Sequence, residues 1–341
     1  MPEQNLISSL HDDFLYPYDA FFERTGNTIT LLDFAQKLEQ LGINRDDLTA
    51  LGIEKLDDIS DKQYTELVKQ AMTHGYDVAF PSIFAWWSTM KQADQMAYIK
   101  HAAGWYKKLD FTMVEKGSQL TGSGPYLVLS LEGADCVTSL KDMQELYDLG
   151  IRSMMLQYFE PNALISEHGL TKLGKECVHF LLQHNVIVDL AHQSPAARAD
   201  IFVIAEELGM GGLLAYTHGS MTPDIEWCNE CHPSRGLTTP ELKKLIEMGG
   251  IVGLGVTKPF FKSLNDVIIR FNHVVHLGEG AHHVALGTDF GGVDIEDQLG
   301  INCPSDVAHL MEMLHKRCYL PESVLHDISR NNVRHWLAKP I

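Results

Sequence analysis

From about residue 126 onward, short apolar runs alternate with segments that have helix start and stop signals. The apolar runs span residues 126–131, 151–157, 186–190, 213–216, 251–256 and 283–287. Continuous runs of this length and composition are typical of parallel strands that helices cover on both faces. The alternation of strand and helix therefore predicts βαβ units and a parallel sheet.

Two of the intervening helices have clear boundaries in the sequence. Ser194, with Pro195 directly after it, predicts an N-cap and a proline in the first turn, and Gly209 marks the end of that helix. Thr239 predicts a second start of the same kind, with the end at Gly249. These signals support a repeated strand–helix unit.

The number of strands favours a closed barrel. The six runs, together with another strand near residues 6–10, make at least seven strands. We expect an α/β fold of the (β/α)8 barrel type, with a doubly wound open sheet as the alternative. Residues 1–341 are expected to form a single catalytic barrel domain, in which 25–115 form a helical insertion or cap. With 45% hydrophobic residues, the chain can bury a core of that size.

Imidazole and carboxylate side chains recur directly after the predicted strands. They are His11, Asp13, Glu132, His192, His218 and Asp289. In a parallel barrel the carboxyl ends of all strands open on one face, so these six side chains would converge there. An open sheet would not gather residues from five strands in this way, and the pattern therefore favours the barrel.

The chemistry of these six side chains predicts a metal centre. Alternate residues of a strand point the same way, so His11 and Asp13 can both face the mouth of the barrel. Three imidazoles with three carboxylates form a mixed nitrogen and oxygen set that suits zinc or a similar divalent ion. Six ligands exceed the needs of one tetrahedral zinc ion and suit two ions that share a bridging carboxylate and water.

The motifs resemble the membrane (renal) dipeptidase family of zinc peptidases, which are amidohydrolase-like enzymes on a distorted (β/α)8 barrel. The matching segments are residues 11–13, 131–135, 169–194, 217–220 and 287–293, in the family order. The most specific of them is 169–194, which has a Gly-Leu-Thr start, a helix and a strand that ends in Asp-Leu-Ala-His-Gln-Ser. The resemblance is weak over 25–115.

The resemblance implies a role for each predicted ligand. His11 and Asp13 would bind one zinc ion, and Glu132 would bridge the two ions. His192 and His218 would complete the second site.

The resemblance also implies a mechanism. A hydroxide that bridges the two ions would attack a peptide carbonyl polarised by zinc. Asp289 would lie beside the first ion, as a ligand or as the base that shuttles the proton. Arg235 matches the family arginine that binds the C-terminal carboxylate of the substrate before a helix.

Three features depart from the family pattern. Tyr158 follows a strand after which the family usually has a histidine that stabilises the oxyanion; its hydroxyl can donate a hydrogen bond but carries no positive charge near pH 7. Gly291 occupies a position where the family usually has an aspartate. The segment between residues 218 and 235 is longer than usual and contains Cys228, Cys231 and His232. The predicted metal ligands are thus intact, and the predicted substrate contacts are altered.

These departures leave more than one function open. The expected function is a binuclear zinc hydrolase that cleaves dipeptides or similar small amides, with catalytic Asp289, Glu132 and Tyr158 and substrate-binding Arg235 and Tyr158. The same centre turned to ester or lactone hydrolysis or to deamination is one alternative. A metal-binding relative without catalytic activity is another. The Cys228-x-x-Cys231-His232 pattern also fits covalent haem attachment or a further metal site, but an active-site lid loop is the simpler interpretation.

Charge and hydropathy limit the partners. The chain has 27 Lys and Arg against 45 Asp and Glu, for a formal net charge of −18. Such acidity disfavours nucleic acid and anionic membranes as partners, so the expected partner is a small-molecule substrate. Residues 1–13 lack the features of a signal peptide, and we expect a cytoplasmic protein. A homodimer is expected from the family resemblance.

Overall fold

Parallel strands form a closed ring at the centre of the computed structural model. The structure describes residues 6–13, 38–50, 53, 59–85, 91–158, 160–219, 221, 236–278, 280–293 and 295–340. The strands are β1 (Ile7–Asp12), β2 (Tyr76–Phe84), β3 (Thr112–Met113), β4 (Tyr126–Leu127), β5 (Ser130–Glu132), β6 (Ser153–Met155), β7 (Ile165–Ser166), β8 (Gly169–Leu170), β9 (Ile187–Asp189), β10 (Leu214–Tyr216), β11 (Ile251–Leu254) and β12 (Val284–Leu286). The helices are α1 (Arg45–Ala50), α2 (Asp61–Gly75), α3 (Gln92–Lys108), α4 (Leu140–Asp148), α5 (Lys172–Gln183), α6 (Pro195–Glu207), α7 (Thr239–Glu247), α8 (Leu264–Val275), α9 (Val307–Cys318), α10 (Glu322–His326) and α11 (Asn332–Ala338).

The ring closes because β1 pairs in parallel with both β2 and β12. Around the ring the order is β1, β2, β5, β6, β9, β10, β11, β12, and every one of these neighbouring pairs is parallel. Both β4 and β5 pair with β2, so they are successive parts of one strand position. Within the described residues the barrel thus has eight strand positions, which confirms the expected (β/α)8 fold.

Part of the segment expected to form a helical insertion belongs to the barrel itself. Residues 76–84 form β2, which lies between β1 and β5, and α3 follows it as the second helix of the barrel. Helix α2, which precedes β2, starts at a capping box of Ser60 and Gln63. The described residues of 25–115 therefore combine a β/α unit of the barrel with helices that precede it.

Apolar side chains pack on both sides of the strands. Those inside the barrel include Leu10, Val78, Phe80, Val128, Ile187, Ala215, Ile251 and Ala285. A larger buried cluster lies between the strands and the surrounding helices. Val333 and Trp336 of α11 pack against the inner cluster, and the Trp336 indole donates a hydrogen bond to the Gly249 carbonyl, 3.2 Å away, just before β11. Helix α11 therefore covers the amino-terminal end of the barrel.

The helix boundaries follow the capping signals closely. Ser194 caps α6, Pro195 is in its first turn, and Gly209 beyond its end has φ of 66°. The start of α7 differs by one residue from the prediction: Thr238 is the N-cap, and its hydroxyl accepts from the Glu241 amide. Thr238 takes this position because Glu241, three residues on, completes a capping box with it.

At the amino-terminal end of the barrel, Asp77 joins β2 to the C-terminal helices. Its side chain is fully buried, and Arg334 Nη1 lies 2.8 Å from both of its carboxylate oxygens. Arg330 Nε lies 3.3 Å from Asp77 Oδ2, and the Gly124 amide also donates to this carboxylate. Burial alone would raise the pKa of Asp77, but the hydrogen bonds from Arg334 and Arg330 outweigh burial and lower it.

None of the helices that the structure describes combines the length and apolar character needed to cross a membrane.

Candidate metal centre

The six predicted ligands meet at the carboxyl-terminal mouth of the barrel. Each is placed by the end of a strand: His11 and Asp13 by β1, Glu132 by β5, His192 by β9, His218 by β10 and Asp289 by β12. Their side chains range from nearly inaccessible, with His11 and His218 each 2% exposed, to partly exposed, with Asp13 at 17%. The convergence inferred from the strand ends is thus present in the structure.

Glu132 lies at the centre of this group, with one carboxylate oxygen directed to each side. Its Oε2 atom is 3.6 Å from His11 Nε2. Its Oε1 atom is 3.5 Å from His192 Nε2 and 3.8 Å from His218 Nε2. The two oxygens of one carboxylate therefore face two separate imidazole groups.

On the first side, two further carboxylates surround His11. Asp13 Oδ2 is 3.7 Å and Asp289 Oδ1 is 3.9 Å from His11 Nε2. On the second side, His192 Nε2 and His218 Nε2 are 2.9 Å apart. His11, Asp13 and Glu132 thus form one cluster, and Glu132, His192 and His218 form another.

The centre brings several ionisable side chains together where they are largely buried from water. Burial raises the pKa of Glu132 and raises that of Asp289 well above its usual value, because a buried carboxylate loses hydration. Burial, together with His11 and His192, lowers the pKa of His218. Burial would also lower the pKa of His11, but Glu132 and Asp13 beside it raise that pKa well above its usual value. Three carboxylates in one buried space favour bound cations.

The donor atoms fit a divalent metal. His11 Nε2 is buried and has no hydrogen-bond partner among the described residues, which is unfavourable unless something else binds it. Ligands of a tetrahedral zinc ion, at bond lengths of about 2.0–2.2 Å, lie roughly 3.3–3.6 Å from one another. The spacings within the two clusters, from 2.9 to 3.8 Å, bracket that range.

Two of the candidate ligands are held in an unusual backbone conformation. His192 has φ of 59° and Asp289 has φ of 58°, in the left-handed region that residues other than glycine rarely adopt. Both residues follow a strand after two intervening residues, and the sharp turn directs their side chains back over the barrel mouth. Such strain at a site of convergent polar groups is typical of functional positions.

A buried pair that the sequence analysis did not single out orients His218. Asp189 accepts hydrogen bonds from the Thr217 amide at 3.1 Å and from the Thr217 hydroxyl. Because that hydroxyl gives its proton to Asp189, its oxygen accepts from His218 Nδ1, which is 3.1 Å away. His218 Nε2 therefore carries the lone pair and faces the centre, as a metal ligand requires.

Asp12 lies between two candidate ligands but faces away from the centre. Its Oδ1 atom accepts from the Thr288 hydroxyl and from the Phe290 amide, the latter at 3.0 Å. The Ser9 hydroxyl contacts Thr288 Oγ1 at 3.0 Å. These contacts join the end of β1 to the turn after β12 and so hold His11, Asp13 and Asp289 in register.

A profile of the membrane dipeptidase family (peptidase family M19) matches residues 48–338 of this chain. The chain belongs to this family. That match confirms the resemblance carried by the motifs. Among the curated relatives of this chain, an uncharacterized dipeptidase of Schizosaccharomyces pombe is 24% identical over 185 residues. The match covers 49% of this chain and 42% of that protein. Matches of this kind span 42–66% of the length of the curated relatives.

Solved structures agree with the fold of this membrane dipeptidase family member. A metallopeptidase of Rhodobacter sphaeroides, solved with a phosphinate mimic of the dipeptide L-Ala-D-Ala, has a TM-score of 0.66 and 18% identity. The likeness covers 97% of this chain and 98% of that one. A metallopeptidase named dipeptidase AC, also of family M19, has a TM-score of 0.66 and 17% identity over 78% of this chain and 87% of its own.

Two departures from the family pattern have structural consequences. Gly291 has φ of 86°, and a Cβ atom there would lie 2.1 Å from the Asp13 carbonyl oxygen, so an aspartate does not fit this turn. The Tyr158 ring lies beside the centre, with its centroid 4.7 Å from the His192 ring and 4.6 Å from the Phe84 ring. Tyr158, which follows β6, thus lies beside an imidazole of the centre at a position where the family usually has a histidine.

Two features of the sequence analysis fall outside the described residues of this family member. They are Arg235, predicted to bind a substrate carboxylate, and the Cys228-x-x-Cys231-His232 pattern. Their roles stay predictions. The described chain resumes at Gly236, whose carbonyl lies 3.4 Å from Arg198 Nη2.

Proposed function

We propose that this member of the membrane dipeptidase family is a binuclear zinc-dependent hydrolase that cleaves dipeptides or similar small amides with a free carboxylate. The observation that carries the proposal is the position of Glu132. Its Oε2 atom faces His11 and its Oε1 atom faces His192 and His218. A carboxylate that serves two ligand groups at once is suited to bridge two ions.

Each side chain would then have a defined part. His11 and Asp13 would hold one ion, His192 and His218 the other, and Glu132 both. When bound, the ions would supply a nucleophile from water at neutral pH and would polarise the scissile carbonyl. Asp289, whose Oδ1 atom is 3.9 Å from His11 Nε2, is assigned the transfer of a proton to the leaving amine.

Two aromatic rings lie beside the centre, where a substrate would bind. The Tyr158 ring borders His192, and the Phe260 ring lies 5.7 Å from the His218 ring. We assign the Tyr158 hydroxyl to hydrogen-bond the oxyanion that develops at the carbonyl. Arg235 is proposed to bind the substrate carboxylate. The binding of a phosphinate dipeptide mimic by the Rhodobacter sphaeroides relative is consistent with this substrate class.

Elemental analysis of purified protein, wild type beside Glu132→Gln, tests the centre directly. We expect about two metal ions per chain in the wild type and a sharp fall in the variant, because an amide bridges two cations poorly. A panel of dipeptides, assayed with and without chelator, tests the reaction. Wild-type protein that holds no metal, or metal-loaded protein that hydrolyses no small amide, would rule the proposal out.

A further inference from the structure

Gln40 lies on a segment that precedes the second strand of the barrel, yet its side chain binds the turn after β12. The residue is fully buried. Its Oε1 atom accepts a hydrogen bond from the Gly291 amide at 2.7 Å, and its Nε2 atom donates to the Val293 carbonyl at 2.9 Å. One amide group thus satisfies a donor and an acceptor of the same turn, which fixes both the position and the orientation of that turn.

The turn that Gln40 holds is the one that carries Asp289. The Asp289 amide donates to the His11 carbonyl at 3.1 Å, and the Gly292 amide donates to the Asp289 carbonyl at 3.2 Å. The Asp13 amide donates to the Phe290 carbonyl at 2.8 Å. The backbone from 289 to 293 is therefore in contact with both aspartates of the centre.

The 289–293 turn packs directly against the Asp289 and Asp13 carboxylates. A Cβ atom on Gly292 would lie 2.0 Å from Asp289 Oδ1 and 2.5 Å from Asp13 Oδ2. A small displacement of the turn would therefore move the Asp289 carboxylate or press the backbone onto it. The left-handed backbone of Asp289 also has to be held by its surroundings, since residues other than glycine avoid it.

The residues next to Gln40 are anchored in the hydrophobic core. Leu38 and Leu41, on either side of it along the chain, are each only 3% exposed and belong to the main hydrophobic cluster. A hydrogen-bonding group anchored in this way can define the position of a distant loop more closely than an exposed side chain can.

We propose that Gln40 is a positioning residue for Asp289: it holds the 289–293 turn so that the Asp289 carboxylate stays on the His11 side of the centre. The inference rests on the proposed function, because it assigns Gln40 an effect on metal binding and proton transfer there. It assigns no contact between Gln40 and an ion or a substrate.

The test compares wild type with Gln40→Met, which keeps the length of the side chain and removes both hydrogen bonds. We expect metal affinity, measured by competition with a chelator, to fall about 10- to 100-fold, as for other residues that orient metal ligands. With saturating metal, kcat should fall while KM changes less than about threefold, because Asp289 acts in the chemical step. The absorption spectrum of the Co²⁺-loaded protein should also change.

Gln92, which is exposed, offers a control at a distant loop, because its Nε2 atom likewise donates to a loop, at the Cys136 carbonyl 2.9 Å away and the Thr138 hydroxyl 3.0 Å away. Gln92→Met should leave the Co²⁺ spectrum and kcat near wild type. If Gln40→Met fails to fold, Gln40→Glu serves instead, because its side chain still accepts from the Gly291 amide and, when ionised, cannot donate to the Val293 carbonyl. That variant should show a change of the same kind at a pH at which its carboxylate is ionised.

The outcomes separate the two proposals. An active, metal-binding wild type with a Gln40 variant of unchanged metal affinity, spectrum and kcat would overturn this inference alone. Equal losses in the Gln40 and Gln92 variants would also overturn it, because they would reflect a general loosening. A wild type that neither binds metal nor hydrolyses a dipeptide would overturn the proposed function and this inference with it.

Discussion

At the scale of single residues, the centre depends on side chains that touch no predicted ion. Thr217 is the clearest case, since its hydroxyl stands between Asp189 and His218 Nδ1. A hydroxyl has only one proton to give. Once that proton is donated to the carboxylate, the imidazole has to be protonated on Nδ1, and Nε2 is free to bind a metal.

Replacing Thr217 by valine keeps the shape of the side chain and removes the hydroxyl. We expect metal affinity to fall about 10- to 100-fold, because His218 loses the partner that sets its tautomer. Chelator competition would measure this change. Thr217→Ser, which restores the hydroxyl, should bind metal nearly as wild type does; equal affinity in the valine variant would contradict the role given to Thr217.

The hydroxyl of Tyr158 can be tested without disturbing its packing. Tyr158→Phe keeps the ring contacts with Phe84 and His192. If the hydroxyl donates to the developing oxyanion, kcat for dipeptides should fall about 100-fold with little change in KM. Steady-state kinetics with the metal-loaded variant would show this. An unchanged kcat would remove Tyr158 from the mechanism.

At the scale of elements, the tight turn after β12 requires glycine for two separate reasons. Gly291 has φ of 86°, and a Cβ atom on it would lie 2.1 Å from the Asp13 carbonyl oxygen. Gly300 has a similar φ of 83°, but nothing lies within 4 Å of its Cβ position. The two residues therefore separate the effect of backbone conformation from the effect of steric contact.

Gly300→Ala should destabilise the protein by about 1–2 kcal/mol, which is the usual penalty for a left-handed alanine. Gly291→Ala should cost more than about 4 kcal/mol, because the backbone next to Asp13 has to move as well. Urea denaturation would measure both values, and chelator competition should show weaker metal binding for Gly291→Ala alone. Similar effects of the two substitutions would mean that the turn relaxes freely.

Most of the strands were predictable because their apolar runs are uninterrupted, but β2 was not. Its sequence contains Asp77 and Pro81, residues that are uncommon inside a strand. The structure accommodates both: Asp77 pairs with Arg330 and Arg334, and the register of β2 against β1 shifts before Pro81. These compensations involve residues distant in sequence, which a local pattern cannot reveal.

The same distinction applies to the candidate centre. The six convergent residues all lie at the carboxyl end of a strand or within three residues after it, so their meeting point follows from the barrel alone. Gln40 and its partner Gly291 are 251 residues apart, and Asp189 and Thr217 are 28 residues apart. No spacing in the sequence links either pair, and only the folded chain brings them into contact.

At the scale of the whole molecule, the two ends of the barrel have different structural roles. The mouth holds the candidate centre, whereas the opposite end is closed by α11 and by the buried Asp77 carboxylate with its two arginines. An aspartate whose pKa is lowered on folding stabilises the protein above its unfolded pKa of about 4. This contribution is lost as the pH falls through the lower folded value.

Asp77→Asn should therefore destabilise the protein most near neutral pH, by about 3 kcal/mol, since the two arginines would lose their buried counter-charge. Below about pH 4 the difference from wild type should shrink, because the wild-type carboxylate then becomes protonated. Urea denaturation of both proteins over this pH range isolates Asp77 from the other acidic residues. A difference independent of pH would show that the ion pairs contribute little.

The barrel closes by pairing β1 with β12. Because these two strands are far apart in the sequence, the time between their synthesis bears on when a metal can bind. About 280 residues separate His11 from Asp289. A ribosome that adds about 5–20 residues per second needs roughly 15–60 s to cover that distance. A nascent chain therefore carries the first imidazole and carboxylate of the proposed centre long before the last one exists, and that centre is complete only after Asp289 has been synthesised.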